Sequence, residues 1–431
     1  DRQVATRART RTTTTTARPA AGGAMAARRW LHTRMRRANT WRAPFGVPSG
    51  GRVDPYVAAM WEELRDVRRD IHAHPELGLE ERRTSALVAD TLRRLGMDVA
   101  TGFGKTGVVG SVHGTGQRDP DADGVSAIGI RADMDCLPMQ EESDIPHRSK
   151  FPGKMHACGH DGHTTIALGA AHFLATHRDL FAGTVHFLFQ PAEENHGGAE
   201  MMINDGVLSS KFICDEVYGI HNWPYLPPGT ISVREGPIMA SNDEFDISIR
   251  GNGGHAAMPH LAVDPVVVAC QVVSALQSVV SRGVDPIKSG VLSVTQINGG
   301  SAYNVIPETV TLKGTFRTFR DEDRDRIATR LENIASSVAE AHGATAVVQI
   351  TAGYPATVNA EKQTAFARQA ASAVVGAKNV VSADPTMGSE DFSYMLQRAP
   401  GCYAWIGADS PGMLHEDTFD FDDEIIPIGV Q

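Results

Sequence analysis

The sequence has no uninterrupted apolar run of the roughly 18–20 residues that a membrane helix requires, so its hydropathy offers no transmembrane segment and no membrane partner is expected. Cysteine is scarce and odd in number. Cys136, Cys158, Cys214, Cys270 and Cys402 are scattered along the chain, which argues against a disulfide framework and for a reducing compartment. Internal repeats are absent, and low-complexity sequence is confined to residues 1–53, which excludes fibrous and disorder-dominated classes. The 431 residues are 42% hydrophobic and 21% charged, a globular composition with room for two or three domains.

Acids are almost missing from the amino-terminal stretch. Residues 1–53 hold twelve arginines, no lysine and one acid, Asp1, for a net +11; with the whole chain at -10, the remainder carries -21. This Arg-, Thr- and Ala-rich stretch reads first as a disordered, non-functional leader, with Met25 and Met35 as alternative starts. An organellar transit peptide and an Arg-rich nucleic-acid arm are the other readings. A body at -21 is a poor partner for phosphate backbones, so no nucleic-acid partner is expected. The expected location is cytoplasmic, or organellar if the leader is a genuine transit peptide.

Apolar spacing supplies the elements. Tyr56 to Arg69 carries a helical stripe of Val57, Met60, Trp61, Leu64 and Val67, and Thr84 to Leu95 repeats the pattern before stopping at Gly96. Short apolar runs at Gly107 to Val112, Ala127 to Ala132 and Gly183 to Phe189 read as buried strands, with a helix from His163 to about His177 between the last two. That alternation predicts an α/β fold with a doubly wound catalytic sheet. From residue 242 to 352 the order changes to βαββαβ: strand Glu244 to Arg250, helix Asp264 to Ser281, strands Gly290 to Ile297 and Thr309 to Phe319, helix Asp321 to Ala341, strand Thr345 to Thr351. This is an inserted ferredoxin-like module, which divides the catalytic layer into residues 54–241 and 353–431. The second part begins with a helix near Gln363 to Val375 and includes a strand Cys402 to Ile406.

The chemistry gathers where these strands end. His156 to His163 places three imidazoles, a thiol and a carboxylate within eight residues, a donor set suited to zinc and similar ions rather than magnesium or calcium. Paired carboxylates, Glu193 and Glu194, leave the buried strand that ends at Phe189; one can bind metal while the other takes a proton from water. His221 ends another apolar run and His415 lies near the carboxyl terminus. Cys158, His160, Glu194, His221 and His415 together offer five ligands, more than one structural zinc uses.

Nine segments in order carry a resemblance that covers about residues 56 to 428. They are RADMDCLPMQE (131–141), MHACGHDGHT (155–164), FQPAEE (189–194), GIHNWP (219–224), GGHAAMPH (253–260), NVIP (304–307), GTFR (314–317), MGSEDFSYM (387–395) and LHEDTFDFDD (414–423). The chain resembles the dinuclear metallo-amidohydrolases that group hippurate hydrolase, N-acyl-amino-acid amidohydrolases and auxin-conjugate hydrolases, relatives of aminoacylase and carboxypeptidase G. The resemblance implies two divalent ions (zinc, manganese, cobalt or nickel), bridged by Cys158 and held terminally by His160, Glu194, His221 and His415. It implies Glu193 as general base, Asp135 as a group orienting a ligand, and His255 as an oxyanion stabiliser acting in the site of a neighbouring subunit. Asn304 and Arg317 match residues that hold the substrate carboxylate. The inserted module would then serve as lid and dimerisation surface. The implied activity is hydrolysis of N-acyl amino acids of the hippurate type to a carboxylate and a free amino acid. A metallo-dipeptidase or carboxypeptidase and a non-catalytic metal-binding protein are the alternatives. Asp161 and His163 read equally as supporting residues or as ordinary helix-start residues.

Overall fold

The computed structural model describes residues 52–117 and 124–431. Apart from Arg52 and Val53, the leader lies outside the described residues. Among the described residues no helix is long and apolar enough to cross a membrane.

The catalytic layer is built on an eight-stranded sheet. Its order is Asp98–Phe103, Gly107–His113, Thr184–Gln190, Ala127–Asp133, Glu216–Trp223, Gly401–Gly407, Ile231–Ser232, Val380–Val381. The four strands from Thr184–Gln190 to Gly401–Gly407 are mutually parallel. Parallel strands are covered on both faces and need near-continuous apolar sequence. Thr184–Gln190 is accordingly buried at every position after Thr184, and Gly401–Gly407 at every position but Ala404. The Gly107–His113 and Asp98–Phe103 strands extend one edge in antiparallel fashion.

The chain passes from Ala127–Asp133 through the helix His160–Thr176 to one neighbouring strand, Thr184–Gln190, and then to the other, Glu216–Trp223. Strand order therefore reverses beside Ala127–Asp133. The carboxyl end of that strand is a switch point, where open α/β sheets place their ligands. The helix begins at His160, three residues before the expected His163, because its first turn is buried and its polar side chains are bonded inside the protein. Gly159 caps it at φ 93°, and a Cβ there would lie 2.1 Å from Asn222 Oδ1, so only glycine fits between Cys158 and His160.

A second, four-stranded antiparallel sheet has the order Gly290–Gly299, Thr309–Thr318, Asp243–Arg250, Thr345–Ala352. With helices Pro265–Ser281 and Asp321–Ala341 this is the ferredoxin-like arrangement that the sequence predicts. Along Asp243–Arg250 burial alternates, with Phe245, Ile247 and Ile249 inward. Asp321, Glu322 and Asp323 favour the positive amino-terminal end of their helix, and Ile327, Leu331, Ala335 and Ala339 form its buried stripe. The chain enters and leaves this unit at one place. Asn242 N donates to Tyr354 O at 3.0 Å, and Tyr354 N donates to Asn242 Oδ1 at 2.9 Å.

Candidate metal centre and active site

The carboxyl ends of the four parallel strands converge on a pocket of about 1020 Å³. Cys158, Glu193, Glu194, His221, Arg317 and His415 line it. Cys158 Sγ lies 3.4 Å from His221 Nε2 and 3.3 Å from His415 Nε2. His160 Nε2 and Glu194 Oε1 are buried without hydrogen-bond partners, 3.8 Å apart, and His415 Nε2 is 3.5 Å from the same Glu194 oxygen. Among the described residues five donor groups have ligand atoms within 4.8 Å of one another, and two of them are Cys158–His160–His221 and Cys158–Glu194–His415. These two share the thiol.

Two of the three prospective imidazole ligands, those of His160 and His221, are oriented through the other nitrogen, the arrangement expected of metal ligands. His160 Nδ1 is 3.0 Å from Asp135 O and 3.2 Å from Asp135 Oδ1, and His221 Nδ1 donates to Asn222 O at 2.6 Å. Asp135 Oδ2 also accepts from Glu194 N at 3.0 Å, so one carboxylate braces two prospective ligands. His415 has φ 66°, strained for a residue with a Cβ, and its N–H is tied to Ala157 O at 2.8 Å beside Cys158.

The neighbouring histidines have other duties. His163 Nδ1 lies 2.7 Å from Asp133 Oδ1, and its Nε2 accepts from Asn222 N at 3.0 Å, so both nitrogens are occupied. Asp161 faces away from the pocket toward His72, with Oδ2 2.8 Å from His72 Nδ1. Both therefore support the site. His156 is buried with neither ring nitrogen bonded, and burial pushes it down to about 4.

Negative charge is in excess here. Burial, then Glu390, Glu194 and Asp391, raise the Glu193 carboxyl well above its usual range. Burial and neighbouring carboxylates push Glu194 up to about 7 and hold the Cys158 thiol far above its usual range. Only a nearby cation can keep such groups ionised together. The protein supplies one, Arg131, which is buried and bonded to Asp133 (2.6 Å), Glu390 (2.8 Å), Asp391 (3.0 Å) and Gln190 (2.8 Å). That cation neutralises the carboxylates behind Glu193. Those in front, with soft and nitrogen donors and two orphaned buried atoms among them, fit divalent metal.

Arg131, Glu390 and Asp391 were not singled out from the sequence, although RADMDCLPMQE and MGSEDFSYM contain them; Asp133 is legible there only as a carboxylate at a strand end. Of the residues expected to hold substrate, Arg317 lines the pocket, is half-buried, and donates to Met387 O at 2.9 Å. His255 and Asn304 lie side by side outside the pocket on an exposed two-stranded ribbon, where His255 pairs with Val305 and Ala256 N donates to Asn304 O at 3.1 Å.

This constellation, at the switch point of an α/β sheet interrupted by a ferredoxin-like unit, is that of a metal-dependent amide hydrolase. Residues 129–431 match the model of peptidase family M20/M25/M40, and the chain belongs to that family and is an amidohydrolase. It is 39% identical to N-acetyl-L-cysteine deacetylase of Bacillus subtilis over 86% of this chain and 86% of that protein. It is 41% identical to IAA-amino acid hydrolase ILR1-like 4 of Arabidopsis thaliana (84% and 82% covered), and 39% identical to hippurate hydrolase of Campylobacter jejuni (86% and 95%). A putative aminohydrolase from methicillin-resistant Staphylococcus aureus superposes with a TM-score of 0.80 at 29% identity, covering 87% of this chain and 95% of that one. A Bacillus subtilis protein described as a dinuclear metal binding peptidase from the M20 family superposes at 0.75, with 34% identity and 86% and 96% covered.

Proposed function

We propose that this chain hydrolyses the amide bond of N-acyl amino acids of the hippurate type, using two divalent ions. The observation that carries the reading is the pair of donor groups sharing Cys158, set beside Glu193 and Arg317 in one pocket. Cys158 would bridge, and His160, Glu194, His221 and His415 would complete the two sites, with zinc, manganese, cobalt and nickel all compatible with these donors. Bound there, the ions supply Lewis-acid activation of water and of the amide carbonyl.

The remaining steps fall to side chains. Glu193 binds no ion in this scheme, and its raised proton affinity suits a group that takes a proton from the attacking water and returns it to the leaving amine. Among the described residues no carboxylate pairs with Arg317, so its planar guanidinium is available to the substrate carboxylate. His255 and Asn304, exposed on their ribbon, would act in the pocket of a second subunit. Large apolar side chains exposed nearby, among them Met258, Leu261, Tyr303 and Val305, support a homodimer formed through this unit, which would also serve as the lid. Five free cysteines support a reducing, cytoplasmic setting.

The test is a substrate panel with metal analysis of the purified protein. Wild type loaded with zinc, manganese, cobalt or nickel should release amino acid from benzoyl, acetyl and indolylacetyl conjugates. Glu193→Ala should keep its metal and lose activity by roughly 10²–10⁴-fold. Failure of every conjugate, with dipeptides cleaved instead, would move the assignment to a metallo-dipeptidase.

A further inference from the structure

The turn Pro191–Glu194 presents both acidic residues of the proposed site, and its backbone is strained. Ala192 has φ 53°, a left-handed conformation that crowds the Cβ of any residue but glycine. Something must hold it there. Ala192 N donates to Glu81 Oε1 at 2.9 Å, across 111 residues of sequence, and Ala192 O accepts from Gly198 N at 3.1 Å. Glu81 is fully buried, and its other oxygen accepts from Thr106 Oγ1 at 2.6 Å, so the carboxylate is fixed at both ends. Two glycines make room for the turn. A Cβ on Gly78 would come within 3.1 Å of Ala192 Cα and Cβ, and one on Gly198 would come within 1.7 Å of Pro191 O.

The next tether along the turn is Glu194 N, which donates to Asp135 Oδ2 at 3.0 Å. Glu193 is therefore flanked by two amides, each anchored by a buried carboxylate. Its own Oε1 accepts a long bond, 3.4 Å, from Asp391 N. Direction along this short segment is set by the anchored amides together with the bond that the Tyr354 hydroxyl donates to Glu193 O.

We propose that Glu81 is a positioning residue: by accepting the Ala192 N–H it holds the left-handed turn that aims Glu193 at the substrate and Glu194 at the metal. This rests on the roles given above to Glu193 and Glu194. Glu81 does not line the pocket and belongs to neither donor group that shares Cys158. Without its carboxylate, a buried N–H loses its acceptor and Ala192 has less reason to remain left-handed. Glutamine keeps an acceptor for Ala192 N and offers an amide that Thr106 Oγ1 can accept. Ala192→Gly removes the steric cost of the turn itself.

The experiment uses the full-length protein, with Co²⁺ titrated into the metal-free form by calorimetry and with steady-state hydrolysis of hippurate. Glu81→Ala should weaken the Glu194-dependent ion and lower kcat, each by roughly 10–100-fold, with KM changed less than about threefold. Glu81→Gln should restore both, and Ala192→Gly added to Glu81→Ala should recover part of each. Val88→Ala, a buried truncation on the helix that follows Glu81, controls for lost stability and should leave cobalt affinity unchanged. The proposal fails if folded Glu81→Ala binds cobalt and turns over like wild type, or if Val88→Ala reproduces its cobalt defect. Should Glu81→Ala not fold, Thr106→Val frees one end of the carboxylate and should shift cobalt affinity in the same direction; no shift refutes the idea. If wild type hydrolyses no N-acyl amino acid, the functional reading fails, while the cobalt titration still decides this one.

Discussion

Tyr354 donates a 2.6 Å hydrogen bond to the main-chain oxygen of Glu193, so the segment returning from the four-stranded unit touches the proposed base directly. The same hydroxyl accepts from Gly197 N at 3.1 Å. A single side chain just beyond the inserted unit thus ties down both the acidic turn and the glycine that follows it.

Tyr354→Phe removes both bonds while keeping the ring. Each contributes about 0.5–1.5 kcal/mol to stability, so the variant should melt measurably lower, and kcat should fall as the turn that carries Glu193 loosens. Steady-state kinetics beside a thermal melt check this.

Arg131→Met should be far more disruptive. It strips the cation from Asp133, Glu390 and Asp391, all buried, and leaving such charges uncompensated costs about 3–5 kcal/mol. A large loss in denaturant resistance is expected. Arg131→Lys should recover only part, because an ammonium cannot match the four bonds of the guanidinium fork.

His72 gives stability a slope in alkali. Burial alone would lower its proton affinity, but the bonds to Asp161 and Glu141 outweigh this and raise the pKa to about 9. The folded value exceeds the unfolded one of about 6.5, so the stabilisation is complete below about pH 6.5 and is lost as pH rises through about 9. The melting temperature should therefore fall between pH 6.5 and 9. His72→Gln should melt lower at neutral pH and show a flatter profile over that window.

Chelation tests the shared thiol. Removing metal should lower the melting temperature, and adding it back at about 100 times its Kd should return about 2.7 kcal/mol. Cys158→Ala should weaken binding of both ions, whereas His415→Ala should weaken one. Calorimetric titration distinguishes the two patterns, and equal single-site losses would refute a bridging role.

Much of the fold was legible because periodicity and burial coincide. The helix Asp321–Ala341 carries its acids at one end and an unbroken apolar stripe, and its boundaries match expectation. The parallel strands announce themselves as apolar runs. Asp98–Phe103 does not, since only Phe103 is buried and its strand identity comes from pairing with Gly107–His113. The start of the ligand-bearing helix was misread for a related reason: His160 and Asp161 look like loop residues until their buried partners are known.

At the site, the prospective ligands were visible as residue types at strand ends and as family motifs. Of the residues that brace them, Asp135 was visible through its family motif and the others were not. Glu81, His72 and Arg131 are ordinary charged residues in sequence, and their meaning lies in partners far along the chain, Ala192, Asp161 and Glu390. Spacing rules reach only a turn or two of helix. Contacts of this kind need the fold.

The paired bonds between Asn242 and Tyr354 have an evolutionary consequence. To the catalytic layer, everything between those two residues is topologically a loop that starts and finishes at one point. Insertions, deletions or wholesale exchange within it leave the separation of the strand ends untouched. The exceptions are positions such as Arg317 that reach back into the pocket, where a change in the appendage is felt by the chemistry.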